Sequence, residues 1–300
     1  MNTNVSPTAA ASTELDDAAI KNLARQEMTI ARKYIGPFPY FMAIWCFTNL
    51  ACWLSLWPLV FLGIMPLWLG FIIATLNVIL CYLPSHEAQH SNYAAAGTPL
   101  RWLNELIGYV STIPWVLPFK IARYTHLRHH TYTNDPIKDP DYPVNAPNWR
   151  AAMWKTIQRS QPGVPNSYSE VIAENANDPM AVRAGTEGAI QTLAYWFILA
   201  GLSVSGYAVE AALLWWLPKN IGQIYISLLL SWWPHHPFAE KGRYRNTRSF
   251  SYFFGNILSL GMEHHIIHHL HPGMPLNRNA AAFRELRPIL EARGCRLEDH

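Results

Sequence analysis

From Pro37 to Pro84 the chain carries no charged side chain. A run of that length is too long for one membrane crossing, and Gly63 and Pro66 break it. Two helices joined by a tight turn fit it, about Tyr40 to Leu62 and about Leu67 to Leu83, each near the ~20 apolar residues a bilayer requires. A buried hairpin in a soluble protein would need a large shell wrapped around it. A chain of 300 residues, half of them hydrophobic and only 14% charged, does not supply one.

A second apolar region runs from Ala189 to Trp233, interrupted by Glu210 and by Pro218-Lys219-Asn220. Its length suits two crossings. The turn falls either at Ser203–Gly206 or at Leu217–Asn220. The first option leaves Lys219 inside the following helix, which is costly in lipid, so the second is preferred. Leu106 to Phe119 is apolar but holds Pro114 and Pro118; it is too short and broken to span, and reads as re-entrant or interfacial. The fold class is therefore all-α and integral to the membrane, with about four transmembrane helices in two hairpins. Residues 1–35 form a polar, amphipathic N-terminal segment, 36–275 the membrane domain and 276–300 a C-terminal tail. The first 35 residues lack the apolar core of a secretory signal. Leu15, Ile20, Leu23, Met28, Ile30 and Tyr34 recur loosely at helical spacing, as in a helix lying on a membrane, and residues 1–12 suit a disordered tail. Pro143 to Gly188 reads as helix fragments and loops over the membrane face.

Eleven of the 13 histidines fall into four clusters: His86 and His90; His126, His129 and His130; His235 and His236; and His264, His265, His268 and His269. Packing gives no reason to write His-x-x-His-His twice, whereas neutral imidazole is a common transition-metal ligand. With two hairpins, an even number of crossings precedes every cluster, so all four meet on one face as a histidine-rich helical cap, beside both termini. Lys21, Arg25, Arg32, Lys33, Arg123, Arg128, Arg243, Arg245 and Arg248 lie on the same side, which makes it cytoplasmic by the positive-inside rule.

Residues four apart share a helix face, so His86 and His90 can bind one ion side by side. His126 with His129 or His130, and His265 with His268 and His269, repeat that geometry. Eight imidazoles exceed what one ion takes, so two ions with about four each fit, and His235 or His236 can add a ninth ligand. HEAQH also satisfies the His-Glu-x-x-His pattern of zinc metalloproteases, a reading that leaves the other clusters idle. Cys46, Cys52, Cys81 and Cys295 form no Cys-x-x-Cys pair, and no Gly-rich dinucleotide fingerprint follows a strand. The net charge of +3 forms no stripe suited to nucleic acid. Trp102, Trp115, Trp149, Trp154, Trp232 and Trp233 suit an interfacial belt better than a tunnel lining.

HEAQH, HLRHH followed by TYTNDPIKDPDY, YRNTRS and HHIIHHLHPGMP occur in order. On these motifs, across about Leu83 to Pro275, the chain resembles the membrane fatty-acid desaturase superfamily of desaturases, lipid hydroxylases and carotenoid hydroxylases and ketolases. The resemblance implies two iron ions held by His86, His90, His126, His129, His130, His265, His268 and His269. His235 or His236 stands where a further His or Asn ligand is common, with His235 favoured. It also implies dioxygen as co-substrate, a long-chain lipid substrate, and an external ferredoxin-like or haem electron donor with its reductase. Asp135, Asp139 and Asp141 either support ligand imidazoles or shape the turn with Pro136 and Pro140. Arg243, Arg245 and Arg248 suit an acidic headgroup or ordinary positive-inside charge. Acyl-chain desaturation is the first reading; hydroxylation or ketolation of a carotenoid or other lipid is the alternative.

Overall fold

A computed structural model describes residues 17–161, 163–164, 167–250, 259 and 261–298. The tail expected over residues 1–12, and Leu15 of the N-terminal helix, lie outside them. The chain is mostly helical, and its one sheet among the described residues is a two-residue parallel pairing of β1 (Arg248–Ser249) with β2 (Arg296–Leu297). Three helical stretches are long and apolar enough to cross a membrane: Tyr40–Phe61, Leu67–Gln89 and Pro179–His235.

Preceded by α1 (Asp17–Ala31), the first two stretches, α2 (Tyr40–Phe61) and α3 (Leu67–Gln89), form the hairpin expected from the uncharged run, with α3 continuing past it through Glu87. Gly63 supplies the left-handed turn residue (φ 69°), and Pro66 precedes the first turn of α3. Apolar packing between helices gains little over packing against lipid, so their few polar groups act as glue. Asn49 Nδ2 donates to Asn77 O (3.0 Å) and Asn77 Nδ2 donates to Asn49 Oδ1 (2.6 Å). Pro84 inside α3 has no N–H for the carbonyl of Leu80 four residues back; the Trp45 indole donates to that carbonyl instead, at 3.1 Å.

The third stretch is a hairpin, and its turn corrects the expectation from sequence. α8 (Pro179–Leu202) is N-capped by Asp178, whose carboxylate accepts from Met180 N. The chain breaks at Gly206 (φ 91°, ψ 4°), and residues 208–235 return as α9. The Tyr195 and Trp215 rings lie 4.9 Å apart, whereas a straight helix separates residues 20 apart by ~30 Å. Turning at Gly206 rather than Leu217–Asn220 puts Lys219 in mid-helix. There Lys219 faces a cavity inside the fold rather than the outer apolar surface. α9 carries two π-helical segments, Ala212–Trp216 and Ser227–Trp232, which loosen its backbone pairing. The Trp53 indole donates to Leu214 O in the first of them (3.2 Å). Gly222 lets α9 approach α3 closely: a Cβ there would stand 2.4 Å from Val78 Cγ1.

Between the hairpins, α4 (Arg101–Ser111) is short of a crossing and packs on α2 and α3, and the turn after it leads into α5 (Phe119–Tyr132). α6 (Trp149–Arg159) and α7 (Ser167–Glu174) are the helix fragments expected between Pro143 and Gly188. α10 (His265–Leu270) and α11 (Asn279–Ala292) close the fold. α1 forms, but its apolar face packs on α11: Leu23, Ile30 and Ala31 join Ile266, Leu270, Phe283 and Leu286 in one core. Residues 276–300, expected as a tail, therefore contain a packed helix.

Candidate metal centre

Four helix segments bring nine imidazoles together. The last turn of α3 presents His86 and its cap His90; Asn104 Nδ2 donates to Ala88 O (3.0 Å) and Ser85 donates to Gly108 O (3.1 Å), fastening that turn to α4. α5 presents His126, His129 and His130, α10 presents His265, His268 and His269, and the end of α9 presents His235. They divide into a first group of His86, His90, His126 and His268 and a second of His129, His235, His265 and His269. His130 sits between them, near His268 and His269. In each group the ligand-capable nitrogens all lie within 4.8 Å of one another.

Nε2 faces Nε2 at 3.1 Å for His86 and His268, 2.8 Å for His90 and His126, 2.9 Å for His130 and His268, and 3.1 Å for His235 and His265. Two nitrogens bound at right angles to a metal at ~2.1 Å are ~3.0 Å apart, so these separations suit shared ions. Shared protons cannot satisfy such a set, since Nε2 of His268 faces both His86 and His130, and Nε2 of His269 is buried without a hydrogen-bond partner. Burial and the neighbouring imidazoles hold His126, His130, His268 and His269 well below the ordinary imidazole range, and burial pushes His90 down to about 3. Neutral imidazole is the metal-binding form, so the donor set fits two transition-metal ions.

The second group is braced from outside. His129 Nδ1 donates to Asp139 Oδ1 at 2.8 Å, which aims Nε2 inward. Burial pushes His129 down, but the charges of Asp139 and Asp141 and this hydrogen bond carry it up to about 9. Asp139 is itself fixed by Asn134 N (2.8 Å) and Asp141 N (2.9 Å). His235 Nδ1 donates to Asn246 O (3.2 Å), a carbonyl that also accepts from Asn134 Nδ2 (2.8 Å). His265 Nδ1 lies 3.3 Å from the Met262 sulfur. Asn134, Asn246 and Met262 were not singled out from the sequence, although Asn134 lies in TYTNDPIKDPDY and Asn246 in YRNTRS.

Other expectations separate. Of the two aspartate readings each holds for one residue: Asp139 supports an imidazole, whereas Asp135 shapes the turn by accepting from Ile137 N and Lys138 N. Of the alternatives His235 and His236, His236 stands outside both groups; it caps α9 and packs on Trp232 at 4.6 Å. His264 stacks on Phe283 at 4.2 Å. Glu87, the general base of the protease reading, faces away and accepts from Leu276 N (2.6 Å) and Asn92 Nδ2 (2.5 Å). Arg243 reaches Leu270 O, Arg248 reaches Trp233 O and Glu298, and Arg245 pairs with Glu240. Of the six tryptophans proposed for a belt, Trp115 lines the internal cavity, Trp102, Trp149 and Trp154 are exposed, Trp233 is half-buried against the core, and Trp232 is buried, donating to Ala146 O.

A cavity of about 880 Å³ ends on His86, His126, His129 and His265. Its walls are largely apolar, from Tyr82, Trp115, Leu117, Ile226 and Leu230 near the imidazoles to Leu193 and Trp196 on α8. The last two are 58% and 49% exposed on the apolar belt, so the cavity opens sideways towards the bilayer region.

Helices of membrane-spanning length, two imidazole groups that could each hold a metal ion and a lipid-sized cavity fit a membrane metalloprotein. The sequence matches the fatty acid desaturase family over residues 57–299, and the chain belongs to that family. It is similar to the sn-1 oleoyl-lipid 12-desaturase of Anabaena variabilis, 30% identical over 77 residues, covering 26% of this chain and 21% of that one. It is also similar to the sn-1 oleoyl-lipid 12-desaturase of Picosynechococcus sp. (strain ATCC 27264 / PCC 7002 / PR-6), 26% identical over 84 residues, covering 26% and 23% respectively. The chain thus spans about a fifth of the length of these curated relatives.

Proposed function

We propose that this protein desaturates a long acyl chain in membrane lipid metabolism, using dioxygen and electrons from an external ferredoxin-like or haem donor with its reductase. The observation that carries the reading is the apolar cavity that ends on imidazoles of both groups. His86, His90, His126 and His268 would hold one iron, His129, His235, His265 and His269 the other, with His130 between them. Iron held there would, when reduced, activate dioxygen and so supply the oxidising power that breaks an unactivated C–H bond. The protein's own share is positioning and dryness. Tyr82, Trp115 and Leu230 hold the chain against the imidazole face and exclude water. Asp141, whose carboxyl is pushed up by burial despite the His129 charge, accepts from Tyr168 and Ser231 and so closes the polar end of the cavity beside the metals.

The four apolar limbs of the two hairpins cross the bilayer in this reading, with the histidine-rich cap and both termini on the cytoplasmic side. The basic residues beside the cap support that orientation. The test is lipid and pigment profiling of cells expressing wild type or His129→Ala, with metal analysis of both purified proteins. New double bonds made only by the wild type, with about two irons per chain, support the proposal. Hydroxylated lipid or carotenoid at the same iron content replaces desaturation with hydroxylation. One zinc and no lipid change overturns the reading.

A further inference from the structure

Lys219 is the unexplained residue of this fold. It lies on α9, 16 residues before His235 and 13 after the Gly206 turn, so ~20 Å of helix separates it from either end. A lysine at such depth is costly unless it faces a cavity, and in membrane proteins such residues mark substrate or ion pathways. Lys219 does line the cavity, and among the described residues nothing pairs with it. The cavity's buried carboxylate, Asp141, is engaged at the other end by Tyr168 and Ser231. Arg159, also on the cavity wall, is already paired with Glu170 at 2.9 Å.

The lining residues of α9 form one stripe. Lys219, Gln223, Ile226, Ser227, Leu230 and Ser231 follow the i, i+4, i+7, i+8 spacing of a single helix face, and His235 continues it. The cavity therefore runs ~18 Å along this helix, from the imidazoles down to Lys219. Tyr195 lies on the facing limb of the hairpin and also lines the cavity; its hydroxyl is buried without a hydrogen-bond partner. A cation, a free hydroxyl and the Gln223 amide thus border one end of a largely apolar channel. Each can donate a hydrogen bond, and a buried donor left unused costs free energy.

We propose that Lys219, Tyr195 and Gln223 form an anchor for the carboxylate of a free long-chain acid. The chain enters with its methyl end leading and lies along α9 with its carboxylate at Lys219, and carbons remote from the carboxylate reach the imidazoles. This deepens the desaturase reading and rests on it for the identity of the reaction, but not for binding.

Binding tests it directly. The purified full-length protein in lipid nanodiscs is titrated with oleate and with methyl oleate, for wild type, Lys219→Met and Lys219→Arg. Oleate is expected to bind wild type and Lys219→Arg more tightly than the ester. Lys219→Met is expected to lose roughly tenfold or more of its oleate affinity, the worth of one hydrogen bond to a charge, with ester binding unchanged. Tyr195→Phe gives a smaller loss in the same direction and serves if Lys219→Met does not fold. Equal binding of acid and ester by the wild type, or oleate binding untouched by Lys219→Met and Tyr195→Phe, overturns the anchor. If acid and ester bind alike while double bonds still form in cells, the anchor falls and the desaturase stands. If the acid preference is present without any lipid product, the anchor stands and the desaturase falls.

Discussion

The two imidazole groups look alike in sequence and differ in support. In the second, Nδ1 of His129 rests on Asp139, Nδ1 of His235 on a backbone carbonyl, and Nδ1 of His265 against a thioether. In the first, Nδ1 of His86 is buried without a partner, and among the described residues His90, His126 and His268 have no carbonyl or carboxylate on their outer nitrogens. An outer partner fixes the tautomer and the ring plane before the metal arrives, so the second group is the better prepared and the first depends more on its ion for order. One centre can thus contain a firmly held ion beside a more exchangeable one.

The largest effect tests the braced group itself. His129→Ala is expected to bring lipid modification below detection and to remove at least one metal per chain, with membrane insertion retained; lipid profiles and metal content read this out. Next, Asp139→Asn removes the carboxylate without emptying the space. It is expected to weaken metal retention by ~10–100-fold, as other second-layer changes do, measured by competition with a chelator. Stepwise chelation of the wild type should then release metal in two phases, the faster from the first group. A single phase would remove the asymmetry.

A smaller change should touch both groups alike, because α10 serves both. Glu27 on α1 reaches His271 just after α10 (3.2 Å) and accepts from Tyr244 (2.7 Å). Burial pushes the Glu27 carboxyl up, but the contact with His271, the hydrogen bond from Tyr244 and the charge of Arg243 leave it below its ordinary value of 4.5. A depressed carboxyl stabilises the fold above its unfolded value, and that contribution is lost as pH falls through the lower folded value. Thermal stability should accordingly drop on acidification below about pH 4.5, and less so in Glu27→Gln. The smallest effect is expected from Met262→Leu, which removes only the sulfur beside His265: a few-fold faster metal release from the second group in the same chelator assay.

The reading of the sequence reached the first hairpin and eight of the clustered imidazoles because both are written in short-range patterns. An uncharged run needs no partner to identify it, and residues four apart share a helix face whatever surrounds them. The choice between His235 and His236 had no such pattern. It depends on where α9 ends against Asn246 and Trp232, which are distant contacts. The same holds for Glu87, whose motif names a general base but whose carboxylate is drawn to Leu276 N, 189 residues away.

Helices of membrane-spanning length, helical class, family motifs and the imidazole clusters were thus determined by the amino-acid sequence alone, through hydropathy and helical period. The division of the imidazoles into two unequal groups, the turn at Gly206 and the exposure of Lys219 to a cavity were decided only by tertiary structure. A lysine among apolar residues carries the same local cost in any sequence; whether that cost is met depends on the surface it faces, which exists only once α8, α9 and α5 have packed.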